Sequence, residues 1–336
     1  MKRRASSKLL IVCAVVTVLW SVAFGSITSA QDDPIPLVIA YGSDIDPADV
    51  ADLVALDYLE EMGYSIEVIE MTADSNAVAG MISGQINIGS IGLPDAIKAY
   101  HIGVPLKVIM PSNMVGEFVL IGQPGIATVE DMVGKRVAYH GPGSGTEILP
   151  RMLVRQTEGV TEDDMEWIIL PESPNRAAAM QAERIDVTAL EFADVLTLRE
   201  DGRDYGIIGS MSDIAPEAIY TSWVVMDSYA EANPEILNDL AVALAKGYAE
   251  VAADKDVWMA KALEVIPVPE ERLSQTYDFY LEIGMFPQAP FFTEDVWEAM
   301  NNFFISVGEY EDPAPYEMVV TDAITAAEES LAAEAE

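Results

Sequence analysis

The chain has 336 residues, 56 of them Asp or Glu against 18 Lys or Arg, for a formal charge of −38. A surface that acidic repels nucleic acid and anionic lipid, which excludes both as partners. The single cysteine, Cys13, lies in an N-terminal apolar run, so disulfides and cysteine-ligated metals are excluded from everything that follows it.

Lys2, Arg3, Arg4 and Lys8 precede an apolar run from Leu9 to Phe24, which the small residues of Ser26 to Ala30 close. That order predicts a cleaved export signal over residues 1–30, since about 16 apolar residues fall short of the roughly 20 that a span needs. Val12 before Cys13 is not the small residue that a lipid-attachment site wants. Cleavage leaves about 306 residues with 14 basic against 56 acidic side chains, a formal charge of −42. That length suits two medium domains, the location is periplasmic or otherwise extracytoplasmic, and the acidic, lysine-poor surface suits a saline medium.

Beyond the signal, strands alternate with helices, the signature of an α/β fold on parallel sheets. Leu37–Tyr41 reads as a strand, and Pro47–Met62 as a helix from its apolar spacing, stopped by Gly63. Ser65–Glu70 is a strand, Ser75–Ser83 a helix, Ile86–Gly89, Leu106–Met110 and Phe118–Ile121 further strands. After Gln123-Pro-Gly125 the pattern restarts: a short helix over Val129–Val133, a strand over Arg136–Tyr139, and a glycine-rich turn, Gly141–Gly145, opening a helix to Thr157. Glu166–Leu170 and Val187–Leu190 are strands flanking a helix over Arg176–Glu183, and Tyr220–Val225 is the last strand before a helical remainder. Two units joined by two crossings are expected: lobe 1 from residues 31–123 and 216–336, lobe 2 from 124–215. Between them lies an interlobe cleft of the kind that takes small ligands at strand C-termini.

Catalytic chemistry finds little support. Only His101 and His140 exist, and neither Gly-x-Ser-x-Gly nor His-Glu-x-x-His occurs. The glycine turn lacks the lysine of a phosphate-binding loop. His101 is expected at the surface, while His140, beside the glycine turn, fits either a ligand contact or loop filling. No metal, cofactor or catalytic residue is expected.

Several segments carry a resemblance. Leu37–Gly42, Asn76–Gly89, Ile97–Val108, Val129–Ala138, Ala177–Asp186, Tyr280–Phe286 and Tyr316–Asp322, in that order and spacing, resemble exported substrate-binding proteins of ABC importers. The subfamily they look like is the one related to sulfonate, taurine, nitrate, riboflavin and thiamine-pyrimidine binders. Asn87 stands where aspartate is usual. The resemblance implies a two-lobed periplasmic-binding-protein fold of type II, a small-molecule ligand in the cleft, delivery to a membrane permease, a monomer, and no enzyme. Gly143–Glu147 followed by Leu149–Gly159 is similar instead to receptors of TAXI-type TRAP transporters, although Tyr41–Asp46 lacks their glycine-rich signature. A third likeness, to thiamine-pyrimidine synthases, would need a cysteine-rich motif that is missing here.

Strand ends and helix starts facing the cleft give the candidate site. Lobe 1 offers Tyr41, Gly42, Ser43, Ser90, Gly92 and Asn113. Lobe 2 offers Gly143, Ser144, Gly145 and Thr146, where open N–H groups and the helix dipole favour an electronegative group, then Glu191 and Phe192. Glu147 in the first turn of that helix already suits the dipole. Trp223 and Tyr220, near the return crossing, fit either the core or an aromatic platform. No arginine falls at an expected cleft position to clamp a carboxylate or sulfonate, which points to a neutral, aromatic or cationic ligand.

Overall fold

The computed structural model describes residues 34–216 and 218–334, so the expected export signal lies outside the described residues. In the first lobe β1 (Ile35–Tyr41), α1 (Val50–Glu61), β2 (Tyr64–Glu70), α2 (Asp74–Ser83), β3 (Ile88–Gly92), α3 (Leu93–His101) and β4 (Leu106–Pro111) alternate. The second lobe runs β5 (Val119–Gly122), β6 (Arg136–Tyr139), α4 (Gly145–Gln156), β7 (Glu166–Ile169), α5 (Ser173–Gln181), β8 (Val187–Leu190), α6 (Phe192–Arg199), β9 (Gly206–Ser210) and α7 (Met211–Ile214). The chain returns through β10 (Thr221–Met226). Helices α8 (Asp227–Ala232), α9 (Pro234–Ala253), α10 (Lys255–Val265), α11 (Glu270–Ile283), α12 (Glu294–Val307) and α13 (Thr321–Glu334) follow. Among the described residues, no helix is long and apolar enough to cross a membrane.

The strand order is β2-β1-β3-β10-β4 in one sheet and β7-β6-β8-β5-β9 in the other. Both sheets are mixed rather than parallel: β10 runs antiparallel to β3 and β4, and β5 antiparallel to β8 and β9. Each of these strands crosses from the other lobe, so it enters its new sheet at the end where the parallel strands finish. The first crossing sits elsewhere than expected: because β5 already belongs to the second sheet, it lies between Pro111 and Val119, not at Gln123, while the second lies between Ser210 and Thr221, a stretch that contains the expected Ala215.

Strand β3 starts two residues later than the sequence suggests, and Asn87 is the reason. Its Oδ1 accepts from the Val38 N–H at 2.7 Å and its own N–H donates to the Val38 carbonyl, so the side chain takes a rung and regular pairing begins at Ile39 with Ile88. The stretch expected as helix at Val129–Val133 is a single 3₁₀ turn over Glu130–Met132. Leu37 and Ile39 of β1 are buried in the same core cluster as Val54, Ala55 and Leu59 of α1. Helix α9 lies so close behind that a Cβ on Gly247 would stand 2.7 Å from the Ala55 Cα.

Candidate functional site

The turn after β1 sets the first wall of the cleft. Pro47 opens a 3₁₀ turn whose capping box is doubly acidic: an Asp46 carboxylate oxygen accepts from the Ala48 N–H at 2.6 Å, and one of Asp49 accepts from the Asp46 N–H at 3.1 Å. That fixes two carboxylates at the C-terminal end of β1. The hinge between β4 and β5 adds Glu117, 5% exposed, which accepts from the Tyr280 hydroxyl of α11 at 2.6 Å and from the Phe192 N–H of α6 at 3.2 Å. Lobe 2 contributes Glu191 at the end of β8 and Asp194 one turn into α6. The Phe192 ring stacks on Phe279 with centroids 3.9 Å apart.

These groups feel one another across the cleft. Burial pushes the Asp46 carboxyl up to about 6, and the charges of Asp194 and Glu172 on the opposite lobe add to the push. Glu117 rises to about 8 through burial and then the Asp46 charge, with the Tyr280 hydroxyl opposing. Asp49 and Glu191 are held well above the carboxylate range by burial and then by Asp46. Burial also raises Asp194. Arg176, buried beneath this wall, acts on Glu191 and Asp194 only by its charge. Its guanidinium donates from Nε to the Ala189 carbonyl at 3.1 Å and from Nη1 to the Leu170 carbonyl at 3.3 Å.

Behind the first wall lies a closed polar network. Asp52, fully buried in α1, accepts from Tyr248 at 2.5 Å, from Ser112 at 2.7 Å and more weakly from the Trp223 indole at 3.4 Å; burial still lifts it to about 7. Trp223, 0% exposed, also donates to the Tyr248 oxygen at 3.0 Å. It is therefore a core side chain and not a platform open to a ligand. Ser90 and Tyr220 are buried too.

The glycine turn is a lobe contact. The Gly143 N–H donates to a Glu147 oxygen at 2.8 Å, so the helix start carries its own carboxylate. Ser144 donates back to the Gly141 carbonyl at 2.8 Å, and Thr146 accepts from the His140 N–H at 2.8 Å. A Cβ on Gly143 would fall 2.5 Å from the Lys98 ammonium of the other lobe, and one on Gly145 2.5 Å from the Phe118 ring, which is why both positions are glycine. Lys98 in turn pairs with Asp95 at 2.9 Å and Glu309 at 3.0 Å. Gly42 and Gly92 border the same region, where Asp74 accepts from the Gly92 N–H at 3.1 Å. A nearby cavity of about 160 Å³, lined by Glu147, Arg151, Arg155 and Glu309 among others, is walled by groups that pair with one another.

Of the residues expected from the sequence, the acidic cleft gathers Glu191 and Phe192 with Tyr41 at its inner edge, and Asn113 stands on the same hinge segment as Glu117. Ser43 is exposed at the rim. Gly143 packs against Lys98 of the other lobe and Gly145 against Phe118 and Tyr220, Ser144 and Thr146 close the turn around them, Gly42 and Gly92 lie against Asp74, and Ser90 and Trp223 are in the core. Sequence reading missed Asp46, Asp49, Glu117, Asp194 and Tyr280. The first two carried a signal, the spacing Asp46-Pro-Ala-Asp49 of a capping box; Glu117 and Tyr280, 163 residues apart, carried none.

Comparison with known proteins agrees with this architecture. The taurine-binding periplasmic protein of Escherichia coli (strain K12) is 24% identical over 246 residues, covering 72% of this chain and 74% of that protein. The alkanesulfonate-binding protein SsuA from Xanthomonas axonopodis pv. citri, solved with MOPS bound, superposes with a TM-score of 0.68 at 18% identity, over 85% of this chain and 98% of the other. The desulfurization enzyme DSZB shares the fold as well, with a TM-score of 0.64 at 12% identity, over 89% of this chain and 99% of its own. A family model described as NMT1/THI5 like matches residues 53–256. The chain belongs to the NMT1/THI5-like family, on the two-lobed periplasmic-binding-protein fold.

Proposed function

We propose that this protein is the solute-binding component of an ABC importer, exported by cleavage after Ala30. Its two lobes close over one small molecule, and the closed form docks on a membrane permease. The observation that carries the reading is the meeting of hinge, lobe 2 and α11 at Glu117, which accepts from the Phe192 N–H beside Glu191 and from the Tyr280 hydroxyl. Family membership favours an ABC partner over a TRAP one.

The fold also carries an enzyme, and a carboxyl held near neutrality is what general acid–base chemistry uses. Binding and turnover are separated by a thermal-shift screen of pyrimidines, flavins, sulfonates, amines and carboxylates, followed by mass analysis of whatever is bound. A binder gains stability as RT ln(1 + [L]/Kd), about 2.7 kcal/mol at 100 times Kd, and returns its ligand unchanged. Recovery of an altered ligand would overturn the reading.

A further inference from the structure

We propose that the cleft selects a small organic cation, one carrying ammonium or guanidinium groups, which Asp46, Glu117, Glu191 and Asp194 receive from both lobes. The inference rests on the solute-binding reading and names its ligand class. What the cleft offers is nearly all acceptor. Among the groups that could meet an anion, the Phe192 N–H is given to Glu117 and the Gly143 N–H to Glu147, while the Arg176 guanidinium spends its Nε and one Nη1 N–H on backbone carbonyls and acts on Glu191 and Asp194 through its charge. An incoming sulfonate or carboxylate would therefore bring its charge to a wall where acidic groups outnumber this one guanidinium.

Two buried polar atoms outside the acidic cluster point the same way. The Tyr41 hydroxyl, on a side chain 2% exposed, has no hydrogen-bond partner although the charges of Asp49 and Asp52 act on it. The Asn113 carbonyl oxygen, on a residue 8% exposed, is likewise unpartnered on the hinge segment. An ammonium or guanidinium brings several N–H donors to acceptors that lack them. The partly exposed Phe192 ring stands at the same wall, and an organic cation is attracted by an aromatic face as well as by a carboxylate. Closure then has a direct cause. A cation between the lobes is drawn by the carboxyl groups of both, Asp46 and Glu117 on one side and Glu191 and Asp194 on the other. A bare metal ion fits less well: among the described residues no three His, Cys, Asp or Glu side chains are grouped to hold one.

The test is titration calorimetry of the full exported chain with putrescine, agmatine and choline, and in parallel with sodium ethanesulfonate, sodium nitrate and calcium chloride. The expected result is one-to-one binding of at least one organic cation and none of the anions. Glu191→Gln and Asp194→Asn should each weaken that binding tenfold or more with an unchanged far-UV spectrum, whereas Glu158→Gln, an exposed acidic residue on lobe 2, should leave it alone. Ethanesulfonate or nitrate binding in the absence of cation binding overturns the ligand class and leaves the solute-binding reading intact. Calcium binding alone, or no binding by any probe, also overturns the class. An organic cation recovered chemically changed keeps the class and overturns the solute-binding reading.

Discussion

Glu117 shows how much a single carboxyl can cost a folded chain. Its ordinary value near 4.5 is pushed to about 8, chiefly by burial and then by Asp46. The folded state therefore holds a proton that the unfolded state gives up between those values, and stability falls as pH rises from about 4.5 towards 8. Glu117→Gln keeps an acceptor for Tyr280 and Phe192 and removes the charge. Denaturant unfolding of the unliganded variant should show a gain of about 1–3 kcal/mol at pH 8 and little change at pH 4. Equal gains at both would show that the charge is not the cause. Ser144 is the opposite case. Its hydroxyl closes the glycine turn on Gly141 and faces no cleft carboxylate, so Ser144→Ala should lower stability by about 0.5–1.5 kcal/mol and leave the Kd for putrescine unchanged. A weakened Kd with intact stability would return the turn to the ligand site.

At the scale of elements, the tightest constraint is the crossing of α1 and α9. The Asp46–Asp49 box at the cleft and Asp52 buried behind it keep their places because α1 is pinned, and the pin is Gly247 against Ala55. Gly247→Ala would drive a methyl into backbone at 2.7 Å, where no flexible side chain can move aside. Melting should drop by an amount equivalent to about 1–3 kcal/mol, despite alanine's better helix propensity; a stabilised variant would mean that α1 and α9 are not packed this closely. This crossing also shows where sequence reading stops. Apolar spacing located β4, β6, β8 and β10 to within one residue and β1 and α1 to within two or three, because each buries one face or a whole short strand and its pattern is local. It misplaced β3, where an asparagine side chain imitates a backbone rung. It made both sheets parallel, since strand direction depends on which lobe the chain arrives from and leaves no trace in periodicity. For the site the same division holds. Glu191 and Phe192 were legible because they follow a recognisable strand. Glu117 and Tyr280 were not, because their pairing is made by the fold and by nothing adjacent in the chain.

Across the whole molecule the acidic excess competes with the ion pairs. Pairs such as Arg136–Asp186 at 2.8 Å and Lys261–Asp57 at 2.5 Å lie at or near the surface, where each is worth about 0–1 kcal/mol. Against them stands the self-repulsion of a chain whose formal charge is −38. Salt weakens both contributions, the Debye length falling from about 10 Å at 0.1 M to about 3 Å at 1 M, and the sign of the response shows which dominates. Most acidic groups have no basic neighbour to lose, because acidic residues outnumber basic ones by 56 to 18. The melting temperature of the unliganded protein should therefore rise between 0.05 and 1 M sodium chloride. Over the same range the affinity for an organic cation should fall, since the cleft loses part of its field to screening. Melting temperature and affinity moving in opposite directions is the specific expectation. A melting temperature that falls with salt would mean that the ion pairs outweigh the repulsion. An affinity indifferent to salt would mean that the cleft carboxylates do not bind their ligand by charge.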